Sequence, residues 1–81
     1  MSAAASGVTF WSGWFTGQSV TYPNPSTSCT TPPFAARSEP NETSKALLLY
    51  TTTDCTGHAI RIPATDIHSF TTDIRSFRAE G

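Results

Sequence analysis

Tyr50-Thr-Thr-Thr-Asp-Cys-Thr-Gly57-His-Ala-Ile-Arg-Ile62 and, beyond it, Asp73-Ile-Arg-Ser76-Phe-Arg78 are the segments that decide the fold. An aromatic residue, six intervening positions, a glycine and a short alternating run read as a β-hairpin. The glycine permits a positive φ at little steric cost, so the hairpin can fold back under its aromatic. Ile74-Arg-Ser-Phe77 reads as a strand returning to that hairpin, with Ser76 hydrogen-bonding the folded loop.

The same plan occurs upstream. Val8-Thr-Phe10 and Gln18-Ser-Val20-Thr-Tyr22 alternate, and Ser12-Gly13 and Thr16-Gly17 supply turn chemistry between them. Gly17 and Gly57 are 40 positions apart, and at that offset Phe10 falls on Tyr50, Val8 on Leu48, Val20 on Ile60 and Tyr22 on Ile62. At a slightly shorter offset Ala36-Arg37-Ser38 falls on Ile74-Arg75-Ser76, giving Ser38 the same anchoring role. Pro23 to Ser28 is a loop that Cys29 to Pro33 continues, because proline cannot donate to a ladder. Phe34 to Ser38 is a short extended piece, and Glu39 to Ser44 reads as the linker between the halves. Lys45 to Tyr50 opens the second half; Ser44 to Tyr50 suits the start of a helix or a buried strand equally well.

A fixed internal period marks a duplicated supersecondary unit, and each unit is too small to bury its own apolar face. Short strands with a hairpin and a long return predict one Greek key over about 8–40 and a second over about 46–80. The two keys are expected to pack as an all-β sandwich, a single domain over 8–81 preceded by a disordered segment over 1–7.

A chain of 81 residues holds one domain at most and buries only about 60% of its unfolded surface. Its hydrophobic fraction of 37% sharpens that shortage. Cys29 and Cys55 are expected to relieve it as a disulfide, with two free buried thiols as the alternative. The disulfide implies an oxidising compartment, hence secretion. The net charge of −1 offers no electrostatic footprint for nucleic acid, and no basic run favours an anionic membrane. No apolar run approaches the roughly 20 residues that span a bilayer. Met1 to Ser6 lacks a signal peptide's basic start and apolar core and reads as the front of a mature domain. Asn41-Glu-Thr43 forms a glycosylation sequon.

The two copies, Phe10 to Gly17 with Ser38 and Tyr50 to Gly57 with Ser76, resemble the βγ-crystallin motif. The ending Asp73-Ile-Arg-Ser-Phe-Arg78 is similar to that of vertebrate lens motifs, and the likeness covers about residues 8–79. The first copy is the poorer, with Ala36 where the second has Ile74.

Many microbial members of that family bind calcium through two Asn/Asp residues, two free positions, then Ser/Thr and Ser. Here the corresponding positions are Thr71-Thr72-Asp73-Ile74-Arg75-Ser76 and Pro33-Phe34-Ala35-Ala36-Arg37-Ser38. Threonines replace both acids, and arginine replaces a ligand with a fixed cation. Sliding the frame by one leaves Asp73 and Ser76 as the only calcium candidates, and no cofactor is expected. Cys55 is better used in a disulfide than beside His58, and no zinc spacing or phosphate loop occurs, so no enzymatic activity is expected.

Phe10-Trp11-Ser12-Gly13-Trp14-Phe15 is the most loaded stretch left. Its rings either cap the small core or form a recognition patch of Trp11, Trp14 and Phe15. Arg37 and Arg75, at matching positions, pair with surface acids or bind an anion together. The resemblance implies three roles for small secreted members. They are killer-toxin-like antimicrobial proteins, metalloproteinase inhibitors presenting a rigid loop, and calcium-binding or structural stress proteins. The expectation favoured is a monomeric secreted binding protein of the killer-toxin-like kind, whose aromatic tip recognises a cell-wall glycan or membrane component. The inhibitor alternative would use the proline-rich 23–33 loop against a secreted proteinase.

Overall fold

The computed structural model describes residues 7–80. Seven strands and no helix occur among them: β1 (Gly7–Trp11), β2 (Ser19–Tyr22), β3 (Ala36–Glu42), β4 (Leu47–Tyr50), β5 (Ala59–Ile62), β6 (Ile67–Ile74) and β7 (Ser76–Ala79). They form two antiparallel sheets, one ordered β2-β1-β3-β6 and the other β5-β4-β7. Most of the segment expected to be disordered lies outside the described residues; Gly7 opens β1 and pairs with Glu42.

Alternation sets which side chains meet. Val8 and Phe10 on β1, with Ala36 on β3 and Phe70 and Ile74 on β6, face Leu47 and Leu49 on β4, Ile62 on β5 and Phe77 and Ala79 on β7 across one buried apolar layer. Phe10 and Phe77, from different sheets, have ring centroids 4.6 Å apart, and Tyr22 reaches Phe77 at 4.9 Å. Each such side chain contributes about 1.5–3 kcal/mol on burial. Ser44 to Tyr50 is not helical; Leu47–Tyr50 is the central strand of the smaller sheet.

The two halves exchange strands. β6, from the second half, hydrogen-bonds β3 of the first. Ser26 and Thr30 of the first-half loop lie along β7: Thr30 N–H donates to Phe77 C=O at 2.9 Å, Phe77 N–H returns to Thr30 C=O at 3.0 Å, and Ala79 N–H donates to Ser26 C=O at 2.8 Å. Cys29, between them, is disulfide-bonded to Cys55 with Cα atoms 5.9 Å apart.

Two expectations need correction. Glu39 to Ser44 is not a linker, because β3 runs through Glu42. Pro40 is tolerated there because the β1–β3 ladder is assigned at Gly7–Val8 and at Trp11 and lapses between, where a missing N–H costs nothing. Ile74-Arg-Ser-Phe77 is not one strand: Ile74 ends β6 in the larger sheet and Ser76 begins β7 in the smaller. Arg75 makes the crossing, its N–H bonded to Tyr50 C=O at 2.9 Å. The sequon asparagine is internal: Asn41 is fully buried, and its Nδ2 donates to Lys45 and Pro63 carbonyls, both at 3.0 Å. Glycan attachment would replace one of the two Nδ2 hydrogens and so break at least one of these bonds.

The folded hairpins are anchored as the repeat predicts. Gly17 and Gly57 have φ of 87° and 85°. Ser38 Oγ accepts from Phe15 N–H at 2.8 Å and donates to Gly13 C=O at 2.7 Å. Ser76 Oγ accepts from Cys55 N–H at 2.9 Å and donates to Thr52 C=O. Both serines are fully buried, so Ser38→Ala and Ser76→Ala each strand a backbone donor and an acceptor. Each is expected to cost about 2–3 kcal/mol, read as a lowered urea midpoint at unchanged slope. A loss below about 0.5 kcal/mol would mean that water replaces the hydroxyl.

Candidate functional site

The β1–β2 hairpin carries the aromatic tip. Ser12 closes it twice: its N–H donates to Gln18 C=O at 2.8 Å, and its Oγ accepts from Gln18 N–H at 2.9 Å. Gly13 N–H bonds Thr16 C=O at 3.1 Å. Gly17 is required on two grounds, since a Cβ there would lie 2.5 Å from Ser12 Oγ as well as meeting a positive φ. Phe15, at the position matching Cys55, adopts φ of 60°, a conformation that costs a residue with a Cβ about 1–2 kcal/mol. The anchoring by Ser38 holds it there.

Trp14 is 60% exposed and Phe15 43% exposed. The Trp14 Nε1–H donates to the Phe70 carbonyl on β6 at 3.1 Å, so the indole is fixed while its ring remains open to solvent. Trp11 differs. It is half-buried on β1, opposite Ser19 and Ser38, and belongs to the sheet surface below the tip.

β6 explains where Trp14 lands. Ala36 pairs with Ile74 and Ser38 with Ser69, so Arg37 alone faces Phe70, Thr71, Thr72 and Asp73. This bulge, four residues against one, pushes Thr71 and Thr72 into solvent. Arg37 Nε donates to Asp73 Oδ1 at 2.6 Å, and Arg75 Nη2 lies 3.4 Å from Asp73 Oδ2. The Arg37 hydrogen bond, followed by the charges of Arg37 and Arg75, holds the Asp73 carboxyl below the usual range. The two arginines singled out by the repeat therefore share one acid.

Arg75 also lines a depression of about 160 Å³, formed with Thr31, Pro33, Phe34 and Thr53. A second depression, about 190 Å³, lies between Pro23–Pro25 and Thr43–Lys45. The 23–33 loop is held along β7 at Ser26 and Thr30 and by Cys29.

Asp73 and Ser76, the calcium candidates, are not brought together for a metal. Asp73 is committed to two guanidinium groups, and Ser76 Oγ is buried beneath the second hairpin. Among the described residues no three His, Cys, Asp or Glu side chains converge. Cys55 is in the disulfide, and His58 lies exposed beside β5.

Three elements of the site were missed in the sequence: the Phe70 carbonyl, the Thr71–Thr72 bulge and Asp73 as shared partner. No local spacing signals them, because Arg37 and Asp73 are 36 positions apart. No known protein family, curated protein or solved structure matches this chain.

Proposed function

We propose that this is a secreted, non-enzymatic binding protein of the killer-toxin-like, antimicrobial kind, which recognises a cell-surface component through its first hairpin tip. The observation that carries this reading is Trp14: 60% exposed, yet fixed by its bond to Phe70 and by the Ser38 anchor beneath. An immobilised, solvent-facing ring loses little freedom when a ligand stacks on it, so its contact converts efficiently into affinity. Phe15 extends the patch. The disulfide is compatible with an extracellular location.

A βγ-crystallin-like sandwich of two Greek keys is the fold reading that belongs with this proposal. It is supported by the strand orders β2-β1-β3-β6 and β5-β4-β7, by the exchange of β6, and by serine-anchored folded hairpins occurring twice. Recognition is assigned to the tip in preference to the proline-rich loop, whose attachment along β7 leaves less of it to insert into a proteinase cleft.

The test is retention on isolated fungal and bacterial cell walls, with growth inhibition as a second readout. Trp14→Ala is expected to weaken binding about 10-fold or more, the range of an exposed aromatic hot spot. Thr9→Ala, on β1 away from the tip, serves as control. Unchanged retention and growth inhibition by a folded Trp14→Ala variant would sink the proposal.

A further inference from the structure

The open donors of the site lie beside the tip rather than in it. Arginine carries five N–H donors. Arg61 spends two nitrogens on Glu80, both at 2.9 Å, and is neutralised. Arg37 meets Asp73 through Nε alone, and Arg75 meets it through one Nη alone. Asp73 thus acts as a positioning residue: it holds two half-exposed guanidinium groups and leaves most of their donors without a protein partner. Two cations on one carboxylate leave an excess positive charge, opposite in sign to the chain's net −1.

This charge has a defined place between two apolar features. On one side stands the Trp14 ring, whose N–H is already used, so that it offers only its faces. Exposed Thr71 and Thr72 lie between Trp14 and the arginines on the same bulge. On the other side is the Arg75 depression, walled by Pro33 and half-buried Phe34. At about 160 Å³ it has room for one charged substituent, well short of the roughly 300–1,000 Å³ that encloses a whole small ligand. A ligand matching this strip is therefore extended. It presents an apolar ring face to Trp14, hydroxyls to the threonines and an anion to the arginines, in that order.

We infer that the component recognised is an extended glycan carrying anionic sugar units, with Arg37 and Arg75 as the anion-recognising residues and Trp14 as the stacking platform. This rests on the recognition role proposed for Trp14 and adds the chemical class of the ligand. Carboxylate, as in a uronic acid, and sulfate ester share the required chemistry: planar or clustered acceptor oxygens that guanidinium groups engage by charge-assisted hydrogen bonds.

The experiment titrates the full chain by calorimetry with polygalacturonate, a sulfated galactan, a soluble neutral β-glucan and soluble chitin oligomers. Polygalacturonate is expected to bind about 10-fold or more tightly than either neutral polymer at low salt, and to lose most of that advantage near 0.5 M salt. Arg37→Gln and Arg75→Gln are each expected to weaken it about 10-fold, while Arg61→Gln leaves it unchanged. All three arginines are half-exposed, so the variants fold. Arginine-dependent binding of the sulfated galactan alone upholds the inference with sulfate as the anion. Equal or tighter binding of β-glucan or chitin, sensitive to Trp14→Ala but indifferent to the arginine variants, overturns it and leaves the tip's role intact. Acidic binding that survives both arginine substitutions also overturns it. Binding to none of the four polymers removes the glycan ligand altogether.

Discussion

Raising the pH from about 4.5 to about 8 is expected to destabilise the native protein by up to roughly 4–5 kcal/mol, and Glu39→Gln to abolish most of that slope. Glu39 lies on β3, fully buried, and neither carboxylate oxygen has a hydrogen-bond partner. Burial, and secondarily the charge of Asp66, push its carboxyl up from 4.5 to about 8. The facing groups explain why nothing opposes this. On β6 its register partner is His68, half-exposed and only 3.5 Å from Asp66 Oδ2, so that imidazole serves the other acid. On β1, Val8 and Phe10 are apolar, and the buried side chains of the opposite sheet are Leu47, Leu49, Ile62, Phe77, Ala79, Tyr50 and the committed Ser76.

The sign follows from which state holds the proton. The unfolded chain releases it near 4.5 and the native protein near 8, so the native state is favoured fully below 4.5 and progressively less up to 8. Exposed Asp54, Asp73 and Glu80 have lowered values and act oppositely: their contributions are present at neutral pH and fade on acidification. The stability maximum should therefore fall on the acid side of neutrality. Urea denaturation across pH 4.5–9 checks this. Glu39→Gln should flatten the profile; Glu39→Met should flatten it and also raise stability at pH 8, because it removes the two unpartnered oxygens as well. A wild-type profile that is level over this range would show that water reaches the carboxylate.

The same residue shows what was legible in the sequence. Glycines at matched positions, an aromatic before each and a serine after each are local devices, and local chemistry repeats visibly. Gly17 with Gly57 and Ser38 with Ser76 act as read. Glu39-Pro-Asn-Glu42 has the composition of a linker, and only its neighbours make it a buried strand. Composition reports what a segment prefers in water, whereas Asn41 and Glu39 are placed by strands arriving from elsewhere in the chain. β6 escaped for a related reason: with four residues opposite Arg37, its exposure does not alternate, so the period-2 signal is lost. The site was half legible. Trp14, Phe15, Arg37 and Arg75 stand out by type and position, but their convergence on Phe70 and Asp73 is a product of that bulge. Trp11 shares the tip's composition and not its exposure, because strand alternation sets it on the sheet rather than at the turn.

Removing the Cys29–Cys55 disulfide is expected to cost roughly 3.5 kcal/mol and about 15–25 °C in Tm. The bond closes a sequence separation of 26, and its chief effect is to restrict the unfolded chain. Its second effect is local. Without it the Ser26–Thr30 segment is held to β7 by three backbone bonds, two at Thr30–Phe77 and one at Ser26–Ala79. Three such bonds contribute about 0.5–1.5 kcal/mol each, less than the roughly 1–2 kcal/mol per residue it takes to order this segment, so it should open before the rest unfolds. Hydrogen exchange would then show loss of protection at Thr30, Phe77 and Ala79 while the β1–β2 amides keep theirs. Cys55 supplies an internal control. Its φ of 55° is a left-handed conformation that strains any residue with a Cβ. The Cys29→Ala/Cys55→Gly pair should therefore recover up to about 1 kcal/mol relative to Cys29→Ala/Cys55→Ala, since glycine adopts that φ freely. The ordering disulfide, then Ala/Gly, then Ala/Ala tests both effects together. If the two double variants are equal, Cys55 N–H and Ser76 Oγ have not kept the hairpin in its folded form. If reduction shifts Tm by less than about 5 °C, the loop is secured by its backbone bonds alone and the cross-link is not what compensates for so small a core.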